Sequence, residues 1–367
     1  MERLKMWKER IAPWDKNAAD EARARWDSIA KPLDGLGTLE KIIADTAGMQ
    51  ASADVDLSPA ELYVFCADNG IVNEGVTQTD PSVTAAVARS IAKGRSTVCL
   101  MARRAGITVC PVDVGMLEDA DGVRNCKVRR GTRDFLKEPA MSTDETLQAM
   151  QCGYDLAAEA AGRGVHLLAA GEMGIGNTTT AAALASVLLD LPVDTVCGRG
   201  AGLDDAGLIR KRRVIAQGIG RHGFSRDAAG PKDMGQDMTG NEVFRALSCL
   251  GGLDIAAMCG LFIGAACHRL PVIIDGAITA AAALTAEKLV PGVSRYMAAS
   301  HVGKEPAMPY LLEALGKSPV ISAGLALGEG TGAVMLIPLL EMAISVYRDG
   351  TRFSGLGMEP YRRYGVK

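Results

Sequence analysis

The stretch LGEGTGAVML, Leu327 to Leu336, sets one carboxylate, Glu329, between two glycines in an otherwise apolar segment. The glycines strip away steric cover and let a planar ligand approach, while the apolar flanks raise the cost of ionising the carboxyl group. Such a carboxylate gains basicity and suits proton abstraction. A second reading stays open at this level: Glu329 as a helix-start carboxylate held by free N–H groups at Gly330 to Gly332, which would lower its pKa instead. Glu341, further along in LLEMAISV, reads as a polar position on a helix.

Three other segments carry residues with chemistry. AAGEMGIGNTTTAAALASVLL, Ala169 to Leu189, runs an apolar strand into Gly171-Glu172-Met173-Gly174-Ile175-Gly176-Asn177, after which Thr178 to Thr180 open an Ala-rich helix. Glycines admit a ligand close to the backbone, and the free N–H groups at a helix start favour a phosphate. The alternative is a tight turn whose threonines cap the helix. The segment lacks the Lys-Ser/Thr ending of a P-loop, so nucleoside triphosphate hydrolysis is not indicated.

CGRGAGLDDAGLIRKRRVIAQ, Cys197 to Gln217, pairs Gly198, Gly200 and Gly202 with a helix starting near Asp204-Asp205. Lys211 follows two turns on, where a compact ammonium could neutralise phosphate. Asp204 reads as an N-cap, and Arg210, Arg212 and Arg213 as a solvated face. The G-x-G-x-G string lacks the spacing and the downstream acid of a dinucleotide site, which weighs against a nicotinamide-dependent dehydrogenase. In FCADNGIVNEGVTQTDPSVT, Phe65 to Thr84, Asp68-Asn69-Gly70 make a turn, Thr77-Gln78-Thr79 follow, and Asp80-Pro81 read as N-cap and first residue of a helix. This long polar loop is either a substrate lip or an ordinary connection.

Histidine and cysteine add little. His166 reads as a core residue, His222 and His268 as surface or boundary positions, and His301 follows a strand from which it could reach a site. No metal pattern emerges, and no cofactor is expected. The nine cysteines include no C-x-x-C pair, which argues against a disulfide framework or zinc cluster and for a reducing, cytoplasmic setting. Runs such as that holding Cys259 and Cys267 read as small buried hydrophobes.

The elements that must position these residues are short apolar runs ending in glycine or polar clusters: LYVFCA before DNG, ITVCPVDV before Gly115, VHLLAA before GEMGIGN, PVII before DG, and YMAAS before His301. Between them lie longer helical segments, which predicts a parallel sheet buried on both faces, with ligands beyond the carboxyl ends of the strands. At 367 residues the chain can bury a large core, and its net charge of -3 with interspersed signs gives no face for nucleic acid or anionic lipid. The most apolar segment, Ile255 to Cys267, is too short to span a bilayer, and the charged N-terminus is no signal peptide. A small-molecule partner follows as the expectation.

In order along the chain, KPLDGLGTLE (Lys31 to Glu40), DNG, GEMGIGNTT, GRGAGLDD with Lys211, GGLDIAA (Gly251 to Ala257), PVIIDG, SHVGKEP and LGEGTGAVM resemble the nicotinate-nucleotide:dimethylbenzimidazole phosphoribosyltransferases of cobalamin biosynthesis. The resemblance implies a Rossmann-like α/β fold in which residues 31–332 form the catalytic domain and 1–30 with 333–367 a small helical one. It implies a homodimer whose partner completes each site, and transfer of phosphoribose from nicotinate mononucleotide to a lower-ligand base. Nicotinate leaves as a pyridinium and needs no general acid, so the demand is for a base, the role that falls to Glu329. Gly174, Gly176, Asn177, Thr178, Gly202 and Lys211 would hold the mononucleotide, with Glu172 near the ribose, and Thr77, Gln78, Thr79 and Leu327 would face the acceptor. Asp68 and His301 are further site-lining candidates.

The chain departs from the family pattern at Asp68-Asn69-Gly70, where Asp-His-Gly is usual, at Asp34-Gly35 in place of Gly-Ser, and near Thr79, where an aromatic often stands. These bear on the acceptor. A phenol- or p-cresol-activating branch works as a two-subunit enzyme, so a heterodimer with a paralogous subunit is one alternative, and a non-catalytic nucleotide-binding paralogue another.

Overall fold

The structure is a computed structural model that describes residues 2–224 and 238–364; the last three positions of the C-terminal segment, 365–367, lie outside the described residues. Six strands form one sheet: Ala60–Ala67 (β1), Thr108–Gly115 (β2), Arg124–Asn125 (β3), Leu167–Met173 (β4), Val272–Ile274 (β5) and Met297–Ala299 (β6). Every adjacent pair is parallel, in the order β3-β2-β1-β4-β5-β6. The expected Rossmann-like parallel sheet is therefore present. β1 shows why its sequence is apolar almost throughout: Leu62, Val64 and Cys66 enter one apolar cluster and Tyr63, Phe65 and Ala67 the other, so neither face is left for solvent.

Helices Thr143–Gly162 and Leu253–Cys267 lie in the first-face cluster with Tyr63 and Phe65. Leu253–Cys267 is buried along nearly its whole length, which explains its uniformly apolar sequence. Helices Thr38–Gln50, Thr97–Ala105 and Thr331–Asp349 cover the other face. The Thr331–Asp349 helix is long and apolar enough by composition to cross a membrane, but it turns Val334, Leu336, Ile337 and Leu340 onto the sheet.

The chain ends meet. Trp26 of helix Lys16–Ser28 lies 5.1 Å from Tyr347, Ile29 bridges to Arg352, and Arg363 reaches both Asp27 and Asp34. Helix Glu2–Arg10 sits instead on the opposite face, its Trp7 stacked on Tyr154 at 5.1 Å.

Asp80 caps the next helix as expected: its Oδ1 accepts from the Ser82 amide at 2.9 Å and Pro81 has helical angles just ahead of helix Ser82–Ala92. One local expectation needs correction. His166 is no core residue: β4 begins only at Leu167, and the His166 ring stays 42% exposed, 3.2 Å from Asp56. Asp204 does cap its helix, accepting from Gly207 N at 2.7 Å.

Strand order reverses between β1 and β4, so the loops that follow these strands part and leave a crevice beyond their carboxyl ends.

Candidate active site

A cavity of about 230 Å³ opens at that crevice. The end of β4 supplies Glu172 to its wall, the turn after it Gly174 and Gly176, and the helix start Asn177 and Thr178, while Glu329, Leu327, His301, Thr77 and Gln78 reach it from other elements. Gly202, Lys211, Thr79 and Asp68 are not on the wall. Lys211 and Asp68 are buried behind it, and Thr79 and the exposed Gly202 stand beside it at the lip.

Glu329 sits in a strained turn. Gly328, Glu329 and Gly330 have φ of +86°, +59° and +87°, three left-handed residues in succession of which only the middle one carries a side chain. Left-handed backbone is costly for glutamate and marks positions held by their surroundings. The surroundings are β4, which passes Gly171 directly beneath the turn, and Asp275 at the end of β5. Asp275 accepts from the amides of Gly332 (2.7 Å), Ala333 (3.1 Å) and Gly330 (3.2 Å). The helix-start amides that could have claimed Glu329 are thereby taken. The Glu329 carboxyl instead accepts at a long 3.5 Å from Val98 N, in the first turn of helix Thr97–Ala105, and burial raises its pKa against that contact and one from Ser96. The amides of Gly330 and Gly332 thus go to Asp275, and the raised Glu329 pKa runs in the direction of the first of the two readings open in the sequence.

Glu172 is more perturbed. Burial, reinforced by the neighbouring charge of Asp254, pushes it up to about 8 despite a hydrogen bond from Asn177 Nδ2. The same Asn177 nitrogen donates to Asp254 Oδ2 at 2.9 Å, and burial lifts Asp254 to about 6. Asp275 is raised to about 7, burial outweighing its three amides. At neutral pH Glu172 is thus mostly a neutral acid able to donate a hydrogen bond. Clustered carboxyls with pKa values spread upward are typical of sites that move protons.

The opposite wall suits an anion. The Asn177–Leu189 helix starts here, and Lys211, with no solvent exposure, donates to Thr178 Oγ1 (2.8 Å) and Gly198 O (3.2 Å) from behind the wall. Burial lowers the lysine pKa. Glu305 Oε1 accepts from Gly200 N at 3.0 Å, and Arg199 lies on the wall with its guanidinium bonded to Leu203 O and Asp205.

The lip and floor complete the enclosure. Gln78 Nε2 donates to Ala201 O (3.0 Å) and Gly202 O, tying the loop after β1 to the loop before the Lys211 helix. Thr79 N and Oγ1 bond Thr77 Oγ1, so Thr79 braces the lip. Asp68, buried behind it, accepts from Leu117 N at 2.8 Å. His301, its pKa lowered by burial, bonds Ser300 Oγ through Nδ1 at 2.9 Å and packs on Gly332, where an added methyl would sit 2.0 Å from the ring. Among the described residues no cluster of three or more His, Cys, Asp or Glu side chains could hold a metal ion.

Sequence reasoning passed over Asp275, Asp254, Arg199 and Glu305 as site residues. Asp275 had a positional cue, since it directly follows a predicted buried strand.

A cleft at the reversal point of a parallel sheet, with helix-start amides on one wall and a basic carboxylate on the other, is the arrangement of an α/β enzyme acting on a small molecule. Residues 11–357 match a family described as phosphoribosyltransferase. The nicotinate-nucleotide–dimethylbenzimidazole phosphoribosyltransferase of Acetivibrio thermocellus is 38% identical over 349 residues, 95% of each chain. The enzyme of the same name from Pelodictyon phaeoclathratiforme is 38% identical over 356 residues, 96% of this chain and 97% of its own. The crystal structure of CobT from Thermus thermophilus superposes with a TM-score of 0.84 at 35% identity, covering 94% of this chain and 99% of that one. The chain belongs to this phosphoribosyltransferase family and is a pentosyltransferase.

Proposed function

We propose that the protein transfers phosphoribose from nicotinate mononucleotide to a cobamide lower-ligand base such as 5,6-dimethylbenzimidazole, giving an α-ribotide and nicotinate. The observation that carries this reading is Glu329, a half-buried carboxyl that takes none of the amides opening its own helix, on the wall of a cavity whose far side presents the Asn177 helix start and the Lys211 corner. The C1′–N bond to nicotinate breaks and its electron pair returns to the pyridinium ring, which leaves neutral at that nitrogen. Positive charge grows at C1′. The acceptor nitrogen attacks from the opposite face, as an α product requires, and Glu329 removes its proton.

In this reading Gly174, Gly176, Asn177, Thr178 and Gly202 hold the phosphate and ribose, Lys211 backs them with charge, and Glu172 faces the ribose as a neutral donor. Thr77, Gln78 and Leu327 face the acceptor, and Thr79, expected beside them, acts through its bonds to Thr77. Residues 31–332 carry the chemistry, and 1–30 with 333–367 act as the small unit. The enzyme works as a cytoplasmic homodimer. Support for pairing comes from helix Thr331–Asp349, which leaves Met335, Met342 and Val346 exposed at spacings of one face.

The test is chromatographic: purified protein with nicotinate mononucleotide and, separately, 5,6-dimethylbenzimidazole, adenine, phenol and p-cresol. A ribotide of the benzimidazole with stoichiometric nicotinate is the expected outcome. Absence of nicotinate release with every acceptor overturns the reading, and product with phenols alone moves the acceptor to the phenol class.

A further inference from the structure

Asp275 is 1% exposed, directly follows β5 and spends both carboxyl oxygens on the amides of Gly330, Gly332 and Ala333. The last two belong to the first turn of helix Thr331–Asp349 and have no partner within the helix. A carboxylate at a helix start is ordinary. Its origin is what matters here: the carboxylate adjacent in sequence is Glu329, yet the amides are held from another strand. The amides that follow Glu329 in sequence are thereby held by another residue, and the backbone just after it is fixed.

That backbone needs fixing. Glu329 lies at φ +59° between two left-handed glycines, and a non-glycine residue persists there only when neighbours over-determine it. Gly330, third residue of the turn, is itself one of the three amides that Asp275 holds.

We infer that Asp275 is a positioning residue for the transfer: by taking the Gly330, Gly332 and Ala333 amides it pins the left-handed turn and keeps those donors from the Glu329 carboxyl, leaving it free to accept the proton of the incoming base. This rests on the transfer reading above. The charged and titratable groups that face Asp275 and Glu329 are Glu172 from β4, Asp254 through Asn177, and His301 after β6, whose Nδ1 is 4.0 Å from Asp275 Oδ1. Lys304 and Glu305 stand further along the same wall.

The experiment compares wild type with Asp275→Asn, which keeps size and one acceptor but turns an NH2 group toward the amides. Values of kcat and KM for nicotinate mononucleotide, with 5,6-dimethylbenzimidazole as acceptor, are measured from about pH 5.5 to about pH 9. The expected result is a fall in kcat of about tenfold or more, KM within about twofold, and an acid limb of the kcat profile displaced to lower pH as freed amides reach the Glu329 carboxylate. An unchanged profile, or a loss of kcat with the acid limb unmoved, overturns the inference. A second arm covers a variant that does not fold: in wild-type protein the Gly332 and Ala333 amides exchange slowly with deuterium, and exchange at the rate of unprotected amides overturns it as well. This arm needs no activity, so a wild type that fails to transfer phosphoribose counts against the transfer reading alone.

Discussion

Gly171 of β4 lies against the backbone of Glu329: a methyl group built on Gly171 would stand 2.7 Å from the Glu329 carbonyl oxygen and 2.8 Å from Gly330 N. Both neighbours are backbone and cannot swing aside, so the methyl must lift the whole turn. Gly171→Ala is expected to cut kcat by at least about tenfold, since small misplacements of a reacting group are expensive. The Glu172 side chain of the next residue is untouched, so mononucleotide affinity should hold. Steady-state kinetics check this, and a fall in affinity with kcat intact would place the turn outside the chemistry.

Lys211 is buried with its ammonium on Thr178 and Gly198. Lys211→Met keeps the stem and removes the charge. A charge-assisted hydrogen bond is worth about 1.5–3 kcal/mol, so nicotinate mononucleotide should bind about 10- to 100-fold more weakly by calorimetry. Lys211→Arg should not restore it, because a planar guanidinium does not fit a site built around a point charge. Unchanged affinity in the Met variant would contradict the phosphate placement.

Stability should fall as pH rises. Glu172 is raised from 4.5 to about 8, Asp275 from 3.8 to about 7 and Asp254 from 3.8 to about 6. Between the ordinary and raised values the folded chain binds more protons than the unfolded one, so these groups stabilise most below the ordinary carboxylate range. That contribution is lost as pH climbs through the raised values. Burial of His222, His268 and His301 acts in the opposite sense as pH drops below their ordinary value of 6.5, as does burial of Lys317, lowered to about 8, above that value. Tm measured from about pH 5.5 to about pH 8.5 should therefore decline, and Glu172→Gln should flatten the slope. A Tm that rises over this window would contradict the buried-carboxyl picture.

Gln78 ties the lip to Ala201 and Gly202. Two neutral hydrogen bonds of about 0.5–1.5 kcal/mol each hold the loop that the mononucleotide must meet. Gln78→Ala should raise KM for the mononucleotide about three- to tenfold with kcat within about twofold. Unchanged KM for both substrates would show that the latch has no part in binding.

Five of the six strands were legible because their runs are apolar, and the loops after them were legible because parallel sheets put chemistry at their carboxyl ends, whereas β3, two exposed polar residues, carries no such signal. Glu329, Glu172, Gly174 and Asn177 stood out from their glycine-rich setting, and they line one cavity. Whether Glu329 was basic or held by helix amides could not be read, since the answer lies with Asp275 on another strand. The His166 assignment failed on a strand boundary of one residue. Lys211 was found by type and spacing, but its place behind the wall depends on how the Asp205–Arg221 helix packs on the Asn177–Leu189 helix, which local sequence does not encode.

The most direct test of Glu329 as the base is the turnover of Glu329→Gln with saturating nicotinate mononucleotide and 5,6-dimethylbenzimidazole. The amide preserves shape and cannot take a proton. With folding and mononucleotide binding intact, kcat should fall about 10²- to 10⁴-fold. Turnover equal to wild type would contradict the assignment and leave the strained turn without a catalytic purpose.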